Sequence, residues 1–271
     1  MCIRYRLNTC AGTPANIVQS VSNPQPDALV LLPAIAQQAY AANLTAAGAL
    51  TSATMAVTAG ALPAGITLNT GYDAMMHAVE GFVALDHKKV SDRPILYQGN
   101  NPFSRGIALE AFRLIWGAYR TCVANGRDRE ARSDMSLGSH LAGLAFSHSG
   151  LGLVHALASS LGGMITAPHG VCLAASTHIG LRYNLKACEK GFSVLAGVLK
   201  EGRGSGSAGQ FISDIEDLIR DLGFPSKPSD LGIKKGDARL LLEKTLLQKR
   251  RLPTNPRLPD AELLALIEEG I

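Results

Sequence analysis

Apolar residues recur every three or four positions along most of the chain after residue 70, and this period predicts helices. The clearest case is 101–126, where one apolar stripe runs between a proline near the start and a glycine at the end. Clear alternation, the mark of a half-buried strand, is not seen in this part of the sequence. Helices are therefore predicted over 71–82, 101–126, 128–150, 151–163, 168–184, 209–223, 235–251 and 259–270.

The first 70 residues have a different composition, rich in Ala and Thr, and only 27–44 suggests a strand followed by a helix. No charged residue and no histidine occurs from Ala28 to Tyr72, which raises the question of a membrane span. The segment contains Pro33 and Pro63 and many Thr, Gln, Asn and Gly residues, so its hydrophobicity falls short of a spanning helix. We interpret it as a buried or interface-forming segment, and we expect no membrane association.

The chain as a whole has 271 residues, 46% of them hydrophobic and 18% charged, which is typical of one large or two modest soluble domains. The net charge of +4 is mild. The basic run 248–251 has few aromatic residues nearby, so we interpret it as a solvated helix end and expect no nucleic-acid partner. Five cysteines form no CxxC pair, and the start of the chain has no apolar signal-peptide core, which together favour a cytoplasmic protein.

A small set of polar residues interrupts apolar helical stretches. Asp73 and His77 stand one turn apart in GYDAMMHAVEGF, while His155 lies in GLGLVHALASSLGG and His169 in APHGV. A surface Asp–His pair or a core histidine with a neighbouring partner would explain the first two residues alone. One divalent ion such as Fe²⁺ or Zn²⁺ would explain all four, because an unpaired buried imidazole costs about 1–3 kcal/mol.

Several stretches carry a resemblance to a known family: TLNTGYDAMMHAVEGFVA, NPFSRGIALEAFRLI, GLAFSHSGLGLVHALASSLGGMITAPHG and TNPR. In this order, from about Leu62 to the C-terminus, they resemble the iron-containing (type III) alcohol dehydrogenases. The resemblance implies a mainly α fold over 71–271, the helical metal-binding domain of the dehydroquinate synthase-like and iron-type alcohol dehydrogenases. It implies a partial α/β remnant over 1–70.

The resemblance also implies which residues bind the metal, with Fe²⁺ in first place and Zn²⁺ as the alternative. The family's ligands fall on Asp73, His77, His155 and His169. The remaining histidines match no ligand position and are interpreted as structural or exposed: His87, His140, His148 and His178. Relatives usually carry a second histidine one turn after the first buried one, and this chain has Ser159 there. Serine can form a hydrogen bond but cannot titrate near neutral pH.

NAD(P) is the cofactor that the resemblance implies, but no GGGS-type phosphate turn of the family is found in these 271 residues. The sequence GSGSAG fits G-x-G-x-x-G at Gly204, Gly206 and Gly209. A dinucleotide fingerprint needs a strand before it, and SVLAGVLKEGR reads as a helix, so a surface loop is favoured. We therefore expect the 271 residues alone to bind NAD(P) weakly, as a truncated form of the family would.

The expected function is hydride transfer between a small alcohol or hydroxy acid and NAD(P), with the metal polarising the substrate oxygen. A homodimer is a further expectation, since relatives commonly dimerise. The longer insert 84–104, ending in YQGNNP, is similar to the hydroxyacid–oxoacid transhydrogenase branch, which gives a second interpretation. A catalytically silent, metal-binding helical protein is the third.

Overall fold

The computed structural model describes residues 62–90, 97–199 and 206–271, and within them the chain is mainly α-helical. The N-terminal remnant predicted over 1–70 lies outside the described residues up to residue 61. The α-helices are α1 (Ala64–Val83), α2 (Pro102–Ala124), α3 (Arg129–Ser149), α4 (Leu153–Gly162), α5 (His169–Leu199), α6 (Ala208–Asp221), α7 (Ala238–Leu246) and α8 (Ala261–Glu269). Short 3₁₀ turns occupy His87–Lys89, Pro228–Leu231, Lys235–Asp237 and Leu252–Thr254.

Helix α1 lies at the centre of the fold. It packs against α2, α3 and α5, and every residue from Gly71 to Phe82 is buried. A helix that is covered on all sides must be mostly apolar all round, and that is how this stretch reads. Around it, α2 packs on α3, while α4 and α6 pack on α5.

Local sequence sets where several helices begin. Asn101 and Ser104 form a capping box at the start of α2, with Pro102 at the first helical position. Asp128 accepts a hydrogen bond from the Ala131 amide at the start of α3, and Ser207 does the same for Gln210 in α6. These caps accept hydrogen bonds from backbone N–H groups that have no partner within the first turn of a helix.

Within the described residues the predicted helices are confirmed in their order, but their limits differ in three places. Helix α1 begins at Ala64, so the domain boundary predicted after residue 70 falls inside it. Helix α5 continues to Leu199, because Cys188, Phe192 and Leu195 extend its buried stripe past residue 184. Helix α7 ends at Leu246, so the prediction that 248–251 is a helix end was wrong.

Within the described ranges there is no β-sheet, and one isolated parallel bridge joins Asp86 to Asn100. Among the same residues, no single helix is long and apolar enough to cross a membrane. The bent pair α3 and α4, at 102° to each other, passes that test only when the two are joined.

Candidate metal centre

Three ionisable side chains form one stripe on the buried helix α1. Asp73, His77 and Glu80 occupy positions i, i+4 and i+7, which face the same side of a helix. Each of the three residues is at most 8% exposed. Polar groups this deeply buried need partners, since leaving them unpaired is costly. The partners come mainly from α4 and from the first residue of α5.

Two glycines before α4 allow the start of that helix to pack closely against the polar stripe of α1. Gly150 has φ +81°, a left-handed conformation that favours glycine. At Gly152 a Cβ would lie 2.7 Å from Asn255 Oδ1 and 3.0 Å from Glu80 Oε1, so only glycine leaves room. Asn255 accepts the Leu153 amide at 2.9 Å and is paired with Asn184 through two further hydrogen bonds. The sequence GLGL thus lets α4 begin against α1.

Glu80 ties the two helices together. Its carboxylate accepts hydrogen bonds from the amides of Gly152 at 3.1 Å, Val154 at 2.7 Å and His155 at 3.3 Å. These amides are at the start of α4, where the helix dipole also favours a negative charge. The same carboxylate lies 2.6 Å from His155 Nδ1. We infer that Nδ1 carries the proton and that the Nε2 lone pair faces Asp73.

Three imidazole nitrogens approach the same oxygen, Asp73 Oδ1. The Nε2 atoms lie at 3.3 Å for His155, 3.4 Å for His77 and 3.7 Å for His169. The His77 and His155 rings are stacked, with centroids 4.6 Å apart. The Phe146 ring also stacks on His77, with centroids 4.4 Å apart. The ligand atoms of Asp73, His77 and His155 lie within 4.8 Å of one another.

These distances suit a shared cation better than hydrogen bonds. An N–H···O bond is usually about 2.9–3.0 Å long, and all three contacts are longer. Ligands about 2.1 Å from a tetrahedral ion stand about 3.4 Å apart. The residues therefore fit a divalent ion with nitrogen and oxygen ligands.

The electrostatics favour the ligand-competent forms of Asp73 and His77. Burial lowers the pKa of His77 to about 3, more than the attraction of Asp73 raises it, so the ring is neutral at pH 7. Burial raises the pKa of Asp73, but the attraction of His77, with the other two histidines, leaves it well below its usual range. A neutral imidazole beside an ionised carboxylate is what metal binding requires.

The other two histidines of the set are tuned differently. Burial works to lower the pKa of His155, but the neighbouring carboxylates of Asp73 and Glu80 outweigh this and raise it. Burial lowers the pKa of His169, although 44% of its side chain remains exposed. His169 is the first residue of α5 and stands on the solvent side of the cluster. The structure thus brings together all four residues that the sequence singles out.

The other predicted positions fall elsewhere. Ser159 is half-buried on α4, one turn after His155, and its hydroxyl has no hydrogen-bond partner among the described residues. The remaining histidines stand apart from the cluster in distinct settings: His87 against Asn100 O, His148 against Phe103, His178 against Glu216, and His140 half-buried on α3.

The last described residues before the glycine motif at 204–209 are helical, because α5 runs to Leu199. Residues 200–205, which include Gly204, lie outside the described part of the chain. Gly206 packs closely on Ala196 of α5, and Gly209 lies inside α6. In its described part the motif therefore differs from the surface loop that the sequence predicted, because Gly206 is buried against a helix and Gly209 belongs to one.

Two residues near the cluster were not singled out from the sequence. Glu80 could have been found, because it extends the Asp73–His77 stripe by one more turn in an apolar segment. Arg251 could not: it lies in a basic run, yet its side chain is partly buried and its charge lowers the pKa of both His77 and His169. Only the tertiary structure shows that the charge of this arginine acts on two histidines of the cluster.

Comparison with known proteins identifies relatives of this chain. The chain is 32% identical over 209 residues to the NAD-dependent methanol dehydrogenase of Bacillus methanolicus, covering 76% of this chain and 51% of that protein. It is 35% identical over 209 residues to the 1,3-propanediol dehydrogenase of Klebsiella pneumoniae, covering 76% of this chain and 50% of that protein. The chain spans about half the length of these curated relatives.

A solved structure of a 1,3-propanediol oxidoreductase is similar to this fold, with a TM-score of 0.70 and 33% identity. The match covers 80% of this chain and 54% of that one. Residues 67–269 match the model of the Fe-containing alcohol dehydrogenase family, C-terminal. The family match over most of the chain, the similar fold and the buried Asp/His/His group all point to the same family. This protein therefore belongs to the iron-containing alcohol dehydrogenase family.

Proposed function

We propose that this chain is the metal-holding part of an oxidoreductase that transfers hydride between a small alcohol or hydroxy acid and NAD(P). One observation carries the proposal: three imidazole nitrogens lie 3.3–3.7 Å from the single oxygen Asp73 Oδ1. Relatives named as methanol and 1,3-propanediol dehydrogenases support the reaction class, and the first of these is named as NAD-dependent.

Asp73, His77, His155 and His169 would hold the ion, with Fe²⁺ in first place and Zn²⁺ as the alternative. When bound, a divalent ion supplies Lewis-acid polarisation of an alcohol or carbonyl oxygen. With three neutral ligands and one carboxylate, the centre keeps a net positive charge that favours this role.

The chain's own residues prepare the site. Glu80 fixes the tautomer and the ring orientation of His155 through the 2.6 Å contact to Nδ1. Phe146 covers one face of His77 and helps to exclude water from that side of the cluster. Ser159, one turn after His155, offers a hydroxyl that can hydrogen-bond a substrate but cannot take up a proton near neutral pH.

The test is metal analysis of the purified chain after anaerobic loading with Fe²⁺ or Zn²⁺. We expect about one ion per chain, and a His155→Ala variant should hold it at least about 10–100-fold more weakly. His140→Ala is the matched control, because His140 is a histidine of α3 outside the cluster, and it should load like the wild type. Equal metal content in His155→Ala and wild type would disprove the proposed site.

A second arm tests the reaction. The loaded chain is mixed with NAD⁺ or NADP⁺ and a panel of short alcohols and hydroxy acids, and NAD(P)H is followed by absorbance. Titration of NADH and NADPH in the same preparation tests the expectation of weak binding. Stable metal binding with no hydride transfer on any substrate, even with a relative's nucleotide-binding domain added, would favour the silent metal-binding alternative.

A further inference from the structure

A second cleft lies at the C-terminal end of α1, beyond the metal cluster. It opens between that helix end, the 3₁₀ turn His87–Lys89, the start of α2 and the middle of α5, and we call it the basic cleft. Its volume is about 650 Å³, within the range of sites for small molecules. Among the described residues that line it, none belongs to the Asp73–His77–His155–His169 cluster.

Backbone hydrogen bonds fix one wall of the basic cleft. The His87 amide donates to the Asn100 carbonyl at 2.9 Å, and the Asn100 amide donates to the Leu85 carbonyl at 2.7 Å. The Leu85 amide in turn donates to the Thr254 carbonyl at 2.8 Å, and the Asn100 side chain donates to the Phe82 carbonyl. The shape of this wall is therefore set by the backbone.

The floor of the basic cleft is apolar. Phe82, Leu85 and Cys188 line it and are buried. The guanidinium of Arg105 lies over the Phe82 ring, 4.7 Å from its centroid. This cation–π contact holds a positive charge at the edge of an apolar surface. A ligand that fits here needs an apolar part and a negative charge.

Four cationic side chains surround the floor, and they come from three separate elements. Lys88 and Lys89 belong to the 3₁₀ turn, Arg105 to the first turn of α2 and Lys190 to α5. All four are exposed, and none forms an ion pair anywhere in 62–90, 97–199 and 206–271. Asp86 is the one carboxylate among the described lining residues, and its Oδ1 already accepts the Lys88 amide at 2.8 Å. The cleft thus keeps an excess of positive charge.

The type and placement of the cations favour a phosphate over a carboxylate. A carboxylate is planar and is matched best by one arginine with two parallel bonds, whereas lysines bind phosphate as point charges. A phosphate monoester carries a charge of about −1.5 to −2 at pH 7 and has three acceptor oxygens, which can face cations on several sides. The start of α2 contributes little, because Asn101 Oδ1 already accepts the Phe103 and Ser104 amides.

We propose that the basic cleft binds a soluble small molecule in which a phosphate group is joined to an apolar body. The phosphate would lie among Lys88, Lys89, Arg105 and Lys190, and the body would pack on the floor beside Phe82. Binding is non-covalent, and the phosphate is not transferred. The proposal does not depend on the proposed function, since the two sites share no described residue.

The experiment is calorimetric titration of the full chain with three probes: phenyl phosphate, inorganic phosphate and phenol. Wild type should bind phenyl phosphate with a Kd of about 1 mM or tighter. Inorganic phosphate, which lacks the apolar body, should bind about fivefold or more weakly, and phenol, which lacks the charge, should bind more weakly still. One equivalent of Zn²⁺ should leave the affinity for phenyl phosphate unchanged.

The test variant is the double substitution Lys88→Gln with Lys89→Gln, and the matched control is Lys234→Gln with Lys235→Gln. Both pairs are exposed lysines at a 3₁₀ turn, and both changes lower the net charge equally. The first should weaken phenyl phosphate binding about tenfold or more, because two charge-assisted contacts are lost. The control should bind like wild type.

A second variant tests the opposite side of the cleft. Arg105→Gln combined with Lys190→Gln should also weaken phenyl phosphate binding about tenfold or more. Its control is Lys186→Gln, another exposed lysine of α5 that does not line the cleft, and this variant should bind like wild type. Equal thermal stability of all variants checks that the fold is kept.

Several results would overturn the proposal. An equal loss of binding in the Lys234/Lys235 control would show a general effect of net charge. Binding that requires Zn²⁺ would place the phosphate at the metal centre. Sedimentation of the chain with phosphatidic acid vesicles, without binding of any soluble phosphate, would show that the ligand is a lipid headgroup. No binding of any probe would remove the site, and none of these outcomes bears on metal content, which tests the proposed function separately.

Discussion

The two ends of the polar stripe on α1 differ in how far the protein satisfies them. At the C-terminal end of the stripe, the Glu80 carboxylate accepts hydrogen bonds from three backbone amides and lies 2.6 Å from His155 Nδ1. At the N-terminal end, Asp73 Oδ1 lies 3.3–3.7 Å from three imidazole nitrogens. The other ring nitrogen of His77, Nδ1, has no hydrogen-bond partner among the described residues. Both carboxylates belong to the same buried helix, two turns apart.

The difference separates a structural role from a binding role. Glu80 has as many donors as a carboxylate can use well, so removing it leaves several buried groups unpaired. Asp73 has contacts that are too long to be good hydrogen bonds, so its removal takes away little that holds the fold together. Four substitutions would break or sharpen this contrast, ranked here by their expected effect on the metal-free protein.

The largest effect is expected for Glu80→Ala. Three amides at the start of α4 and the His155 ring lose their acceptor inside the core, and we expect the free energy of unfolding to fall by about 3–5 kcal/mol. Urea denaturation of the metal-free protein measures this. Glu80→Gln keeps one acceptor oxygen and should lose less. A loss below about 1 kcal/mol in Glu80→Ala would show that water replaces the carboxylate.

Next comes Gly152→Ala, which tests the close approach of α4 to α1. The new Cβ would lie 2.7 Å from Asn255 Oδ1 and 3.0 Å from Glu80 Oε1, so we expect a loss of about 1–3 kcal/mol. The matched control is Gly117→Ala, on an exposed site of α2 with no atom within 4 Å of the new Cβ. There the same change should stabilise by about 0.5–1 kcal/mol. Similar results at both sites would refute the packing argument.

A smaller change in metal-free stability, below about 1 kcal/mol, is expected for Asp73→Asn, because the side chain keeps its shape and loses only long contacts. Metal binding should respond much more strongly, with affinity reduced at least about 10–100-fold. Metal present at 100 times its Kd should stabilise wild type by about 2.7 kcal/mol and Asp73→Asn hardly at all. Thermal unfolding with and without Zn²⁺ checks both points, and equal stabilisation of both proteins would exclude Asp73 as a ligand.

The smallest structural effect is expected for Ser159→His. The side chain is half-buried and has no described hydrogen-bond partner, so the substitution should change stability by about 0.5 kcal/mol or less. Metal content should stay the same. When the chain is joined to a relative's nucleotide-binding domain, turnover at neutral pH should rise at least about tenfold, since the imidazole can relay the alcohol proton.

The pH profile of turnover is the sharper measurement for position 159. Ser159→His should introduce a dependence in the range where imidazole titrates, which a merely structural change would not produce. Equal rates and the same profile in both proteins, across alcohols and hydroxy acids, would mean that the proton leaves through water or the cofactor ribose.

Sequence reasoning reached the helices and the four polar residues for a physical reason. A buried helix tolerates few ionisable groups, so Asp73, His77 and His155 stand out against apolar neighbours. Glu80 belongs to the same stripe, but a glutamate before a glycine also fits a solvated helix end. The helix ends were harder, because the polar residues after Asn184 cover the solvent face of α5 while its buried stripe continues.

Arg251 marks the limit of such reasoning. Nothing in QKRR distinguishes the arginine that turns inward from the three residues before it. The distinction comes from the 3₁₀ turn and the Thr254 contact to Leu151, which join segments about 100 positions apart. Long-range geometry of this kind has no local signature in the chain.

The uneven exposure of the cluster has a kinetic consequence. Three of its residues lie on the buried walls of α1 and α4, whereas His169 is 44% exposed at the first residue of a 31-residue helix. If all four residues hold the ion, the three buried ones form a ready-made seat and His169 closes over it last. We expect ion capture and release to pass His169, so His169→Ala should speed metal loss to a chelator more than its change in equilibrium affinity alone would require.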